Sequence, residues 1–374
     1  MYRFFVCCLV SSIFATSSLL HAQHHVFYLV TGPTLTTYNV DPVTGIPTQV
    51  GTPLTISGAQ FISTLVPSPN DHFIYVYWSD ASFKYTLSVY DTGSNGLPQS
   101  PPVQTLSATG LGPLLIHKSG KYAYVIKTVS GQSGYTETLY LYHINQATGA
   151  LKRDPTLQAT YGPNLQYQES LVSFNQPGTR LYDLWSVIFD GEKNYFYSYH
   201  PINETTGQLG SDVGTYFEAS NFNGLDQQYF TTNYILNLHG GPAIPLRLNV
   251  FLNKKNPRPP AFTCTQSMLD ACGNAFSFWI STDEHYVFLP DSATNETVIG
   301  YVDGSAKQIS QTGSISGLPF LYISPDNQLL CGVDNSGNVV QVYTFNASSG
   351  TATPGGSVSF NSSNGYGLFP ALRQ

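Results

Sequence analysis

The chain alternates short apolar runs with tight polar turns almost from end to end. The segment GPLLIHKSGKYAYVI, Gly112 to Ile126, shows the unit: an apolar run, the turn HKSG, and a second apolar run. Comparable turns are SPND from Ser68, NQPG from Asn175, STDE from Ser281 and SPDN from Ser324. Runs this short, bounded by Gly, Pro, Asn and Ser, predict strands joined by hairpins rather than helices. Seven residues after the first position of each turn stand Tyr75, Tyr124, Tyr182, Phe288 and Cys331. Four aromatics and a cysteine at one equivalent position predict a buried strand site. Cys331 is then a small core residue rather than a reactive thiol. His117 fills a turn slot held elsewhere by Ser or Asn, so its expected role is to fix the turn.

The register continues beyond the paired runs. A third strand-like run follows in each unit: Tyr85 to Tyr90, Thr138 to Ile144, Asn194 to His200, Thr297 to Val302 and Asn338 to Phe345. Turns with glycine come next, at Gly45, Gly96, Gly149, Gly207 and Gly350, and a fourth short strand begins there. Glycine permits the positive φ that a tight hairpin needs. Four strands per unit, repeating about every 43 to 58 residues, are the signature of a β-propeller. A degenerate unit, with an insertion over about 220–272, shows its traces at Gln227 to Leu238 and Pro245 to Leu252. The tail GYGLFPALRQ aligns Phe369-Pro370 with Ser324-Pro325 and then stops, while HHVFYLV, LTTYNV and TGIPTQV supply the missing strands from the other end. The expected architecture is all-β: seven four-stranded antiparallel blades in one domain over 23–374, closed by the C-terminal strand joining the N-terminal strands.

The first residues, MYRFFVCCLVSSIFATSSLLHAQ, carry Arg3, an apolar stretch broken by Ser and Thr, and the cleavage-like Leu20-His21-Ala22. This predicts a secretory signal peptide over 1–22 and a secreted or periplasmic chain that does not insert in a membrane once the signal is removed. Cys7 and Cys8 leave with it. Cys264 and Cys272 flank a short loop and are candidates for a local disulfide in an oxidising compartment. With Cys331 that leaves three cysteines and no histidine at ligand spacing beside them, so no metal site or cofactor is expected. Of the 374 residues, 10% are charged and 14% aromatic, which argues against disorder. The formal charge of −7 disfavours a nucleic-acid partner. Asn203, Asn295, Asn346 and Asn361 begin glycosylation sequons, meaningful only in a eukaryotic secretory pathway.

The segments IHKSGKYAYV, LYLYHINQATGALK, FLYISPDNQLLCGV and SFNQPGTRLYDL resemble the seven-bladed lactonase-like propellers, which include the propeller-type 6-phosphogluconolactonases. The resemblance covers most of the mature chain, except about 220–272, and implies the fold. Enzymes of that family carry His and Arg, often beside Pro, on the strands around the channel. Here the corresponding strands, QFISTLV, GPLLI, YQESLVSF, AFSFWIS and PFLYIS, hold neither an Arg nor a Pro-His pair. No catalytic residue carries over.

Candidate chemistry therefore rests on position alone. Polar residues expected where the inner strands begin are Gln60, Gln168, Glu169, Asp226, Gln227, Asn274 and Tyr366. Glu169 and Asp226, from neighbouring blades, are candidates for activating water or holding a cation. Lactone hydrolysis also needs a stabiliser for the oxyanion; Arg247 is the candidate, and His239 is the spare imidazole. His143 and His200 occupy matching ends of third strands and are expected at the repeat surface. Two functions stay open. The favoured expectation is an exported, monomeric interaction module for a small molecule, a carbohydrate or a protein. The alternative is a lactone hydrolase with its site at the channel mouth.

Overall fold

The computed structural model describes residues 24–373, apart from 109, 113, 132–133, 166–171, 175–177, 190–191, 212, 216–226, 231–233, 242–243, 253–262, 265–267, 269–278, 282, 292–293, 305–307, 318–319, 335 and 362–365. The chain is all-β. Strands β1 (His24–Thr31), β2 (Thr34–Val40) and β3 (Pro47–Thr55) begin the first sheet. The second holds β4 (Phe61–Pro67), β5 (Phe73–Ser79), β6 (Tyr85–Asp91) and β7 (Gln104–Ser107). The third holds β8 (Leu115–Ile116), β9 (Tyr122–Gly131), β10 (Gly134–Ile144) and β11 (Leu151–Leu165). The fourth holds β12 (Val172–Phe174), β13 (Arg180–Phe189), β14 (Glu192–Pro201) and β15 (Val213–Thr215). The fifth is β16 (Gln227–Phe230), β17 (Tyr234–Gly241) and β18 (Ile244–Leu252). After β19 (Thr263–Cys264), the sixth sheet runs through β20 (Trp279–Ile280), β21 (Tyr286–Asp291), β22 (Glu296–Asp303) and β23 (Gln308–Ser316). The seventh is β24 (Phe320–Ile323), β25 (Leu329–Val333), β26 (Val339–Asn346) and β27 (Thr351–Ser359). The last strand, β28 (Tyr366–Arg373), pairs antiparallel with β1, from His24 opposite Arg373 to Thr31 opposite Tyr366, so the first sheet is ordered β28-β1-β2-β3.

Three of the second strands are apolar along almost their whole length, and the packing explains why. β5, β21 and β25 are buried almost throughout, because residues on both faces meet another sheet. A strand covered on both sides loses the alternation that marks a half-exposed one. Along β1, Val26, Tyr28 and Val30 pack with Ile62, Ile74 and Val76 of the second sheet. The intervening Phe27 and Leu29 pack with Leu329, Cys331 and Val342 of the seventh. Similar clusters join the second sheet to the third, the third to the fourth, and the sixth to the seventh.

The equivalent aromatic position has a second task. Tyr28 Oη donates to Gly96 O at 3.0 Å and Tyr75 Oη to Gly149 O at 3.0 Å. Tyr124 Oη donates to Gly207 O in the same way. Each hydroxyl reaches from one sheet to the glycine turn of the next and satisfies a carbonyl there. Those glycines have φ of 79°, 71° and 74°, as the hairpins require. At Gly149 a side chain has no room either, since a Cβ would lie 2.5 Å from the Phe73 ring. Cys331, 3% exposed, cannot reach a turn in this way and packs as the small core residue expected. Burial pushes its thiol up to about 12.

The seam between the seventh and first sheets is held differently. Gly356 N donates to Gly45 O at 3.0 Å, and a Cβ on Gly355 would stand 2.7 Å from Gly45 Cα. At the same seam His25 Nε2 donates to Asp326 Oδ2 at 2.7 Å, with His25 buried. The Asp326 carboxyl is raised by burial but more strongly lowered by hydrogen bonds from His25, Ser324 and Gln328, so it lies below its ordinary value.

The trace Gln227 to Leu238 of the degenerate unit supplies β16 and part of β17, with Gln227 opposite Leu238. Two other expectations need correction. Phe369-Pro370 does not form a turn like Ser324-Pro325, because β28 continues through it and Pro370 lies opposite Phe27. Among the described residues β28 pairs with β1 alone, and proline is tolerated on such an edge. Cys264 lies on β19, which pairs in parallel with β23 and makes the sixth sheet five-stranded. The edge strand β23 thus gains a partner that the fourfold repeat did not predict.

Candidate functional site

The turn residues can be placed first. His117 Nδ1 lies 2.8 Å from Ser119 Oγ, and its Nε2 lies 2.8 Å from Gly178 O. A carbonyl only accepts, so Nε2 carries the proton and Nδ1 takes the Ser119 hydroxyl. Burial, against a smaller opposing effect of the Gly178 bond, pulls the imidazole below its ordinary value. Both nitrogens are thus committed to structure. Ser68, Ser281 and Ser324 hold the same slot, each accepting a backbone N–H from the strand beyond, at 3.0, 2.8 and 2.9 Å.

In every sheet the first strand begins at the end where the second strand turns into the third. This is here called the leading end. Gln60 is exposed there, just ahead of β4, with its backbone N donating to Ser79 O at 2.8 Å. Gln227 is the first residue of β16 and Tyr366 the first of β28. His239 and Arg247 are directly opposed in the β17–β18 register, one step from Leu238, which faces Gln227. The structure therefore brings Gln227, His239 and Arg247 to the leading end of one sheet, a juxtaposition not read from the sequence. Arg247 lies on the third strand of that sheet rather than the first, with β17 between it and β16. Gln168, Glu169, Asp226, Asn274 and Cys272 lie outside the described residues.

The long hairpins β9–β10 and β13–β14 close at this end, with Gly131 opposite Gly134 and Phe189 opposite Glu192. On β10 stands a buried acid that sequence reasoning passed over. Glu137 is 3% exposed and accepts from Thr128 Oγ1 at 3.3 Å. Burial raises its carboxyl above the ordinary range. The signal was present: Glu137, Leu139 and Leu141 alternate, and both leucines lie in the seam facing the fourth sheet.

At the opposite end His143 Nε2 donates to Asp154 Oδ2 at 2.9 Å, and the imidazole is 46% exposed. His200 is buried rather than at the surface, with Nδ1 3.2 Å from Gly210 O. Burial under the β14–β15 connection overrides the expectation for that site. Among the described residues, no three His, Cys, Asp or Glu side chains converge as a metal site. No helix among them is long and apolar enough to cross a membrane.

No family model matches the chain, and no curated protein matches it. Solved structures match in fold. A candidate 6-phosphogluconolactonase from Bacteroides uniformis is similar over 92% of this chain and 99% of its own, at 14% identity and a TM-score of 0.54. A periplasmic gluconolactonase from Pseudomonas aeruginosa is similar over 92% and 99%, at 13% identity and a TM-score of 0.52. A protein from Lactobacillus plantarum is similar over the same shares, at 12% identity and a TM-score of 0.55. Identities this low speak for architecture and not for chemistry. The chain has the lactonase-like fold that these proteins share.

Proposed function

We propose that this chain is an exported seven-bladed β-propeller that hydrolyses a lactone at the mouth of its central channel, on the leading side. The observation that carries the reading is the fold likeness, over 92% of the chain, to proteins described as gluconolactonases. It supports the hydrolase better than the interaction module that the sequence favoured. The seven sheets found among the described residues and the β28–β1 pairing support a ring closed between the chain's two ends.

The chemistry is a single ester cleavage. Water adds to the lactone carbonyl while a base takes its proton. The tetrahedral oxyanion collapses, the ring C–O bond breaks, and the alkoxide leaves as an alcohol after gaining a proton. Glu169 is proposed as the base and Arg247 as the oxyanion stabiliser. His239, opposite Arg247 in register, is the proposed proton donor to the leaving oxygen. Asp226, Gln60, Gln168, Gln227, Asn274 and Tyr366 are proposed rim contacts. A phosphorylated sugar lactone is disfavoured as substrate, because no first strand carries an Arg at its leading end to match a phosphate; Arg373 stands at the far end of β28.

The test is proton release from a panel of lactones of different ring size, followed in a pH-stat with the purified chain. Turnover above the buffer rate, lost in Glu169→Ala, supports the reading. No turnover on any ring size returns the account to a binding module.

A further inference from the structure

The turn between β5 and β6 shares its aspartate cap and its first hydrogen bond with the turn between β25 and β26, which is one residue longer. In the first, Phe83 N donates to Asp80 O at 3.0 Å and Asp80 N to Lys84 O at 3.2 Å. In the second, Gly337 N donates to Asp334 O and Asp334 N to Val339 O, both at 2.9 Å. The aspartate Oδ1 caps both turns, taking Ser82 N and Lys84 N in one and Asn338 N and Val339 N in the other. Phe83 therefore occupies the slot of Gly337. The backbone there is left-handed, with φ of 70° at Gly337 and 57° at Phe83. The corresponding turns of the first and sixth sheets place Gly32 and Asn295 in that region, at 58° and 59°. Glycine and asparagine tolerate it; a bulky aromatic does so only under strain.

Phe83 gains no packing in return, since it is 66% exposed, and Tyr85 beside it is 38% exposed. Neither the backbone nor the core accounts for a phenylalanine here. Strain kept at an exposed position points to use. The surroundings are polar: Gln60, Ser82 and Lys84 are exposed around the turn. At its foot Ser79 is fully buried, and its Oγ has no hydrogen-bond partner among the described residues.

We propose that Phe83 is an aromatic platform at the leading rim for a saturated sugar-type ring, with Gln60, Ser82 and Lys84 meeting its hydroxyls. Such a ring offers a C–H face to an aromatic and oxygens at its edge, which matches an exposed phenyl bordered by an amide, a hydroxyl and an ammonium. The choice of a lactone-sized sugar ring rests on the hydrolase reading; the platform itself does not.

The experiment is calorimetric titration of the full chain with D-gluconolactam, a ring that is not hydrolysed, using the parent, Phe83→Gly and Phe83→Tyr. Phe83→Gly should raise Tm by about 2 °C through relief of the left-handed strain. It should also weaken lactam binding about 10-fold, while Phe83→Tyr keeps it. Equal binding by the parent and Phe83→Gly overturns the proposal, and so does a parent that binds no lactam. A parent that binds the lactam through Phe83 yet hydrolyses no lactone upholds the platform and overturns the hydrolase.

Discussion

Single side chains carry the joints between sheets. The hydroxyl of Tyr75, itself fully buried, satisfies Gly149 O in the next sheet. Tyr75→Phe keeps the ring and strands that carbonyl, so stability in urea should fall by about 1 to 2 kcal/mol. The His25–Asp326 pair makes the matching joint between seventh and first sheets and carries a pH signature. Asp326 is depressed in the folded state, so its contribution is present above the unfolded carboxylate value and is lost as pH falls through the folded one. The Tm gap between parent and Asp326→Asn should be widest near neutrality and close below about pH 4. A gap that persists unchanged in acid would separate the destabilisation from the charge. These joints were hidden from sequence reading to different degrees. The tyrosine position was legible as a repeat, though its hydroxyl's partner was not. The His25–Asp326 pair spans 301 positions, and no local pattern announces it. Phe83 was illegible for another reason, because nothing local predicts a left-handed phenylalanine.

Strands and turns were the most legible level. The apolar runs became β5, β21, β25 and the first half of β9, because a strand segment buried on both faces must be apolar throughout; β9 continues past its run to Gly131. The glycine turns were legible too, since Gly45, Gly149 and Gly350 all take positive φ. Where the fourfold unit breaks, the pattern misled. β19 is two residues long and joins β23 in parallel, an arrangement that periodicity cannot specify. The candidate site shared this weakness, since Gln227, His239 and Arg247 all belong to the atypical fifth sheet. Close backbone approach between elements gives a sharp test. Gly355 leaves no room for a Cβ against Gly45 Cα and Thr44 O, at 2.7 and 2.8 Å. Gly355→Ala should therefore cost about 2 kcal/mol in chemical unfolding, by forcing the seventh sheet away from the first. A neutral Gly355→Ala would mean that this seam is loosely packed.

The whole molecule joins its two ends through one strand pair: β28, the last strand, is hydrogen-bonded to β1, the first. At the leading end, β16 and β28 start with Gln227 and Tyr366, and Gln60 stands just ahead of β4. The opposite end carries the His143–Asp154 pair, an imidazole oriented by a carboxylate and open to solvent. Two ends with different polar equipment make the location of chemistry a question that variants can decide. Lactone hydrolysis is proposed to take place at the leading end. Its most direct test is kcat/KM on the best lactone for Glu169→Gln, Arg247→Gln and, as a control at the other end, His143→Gln. Losses of about 100-fold or more are expected in the first two and parent-like turnover in the third. Parent-like rates in Glu169→Gln and Arg247→Gln, or loss in His143→Gln alone, would contradict that placement.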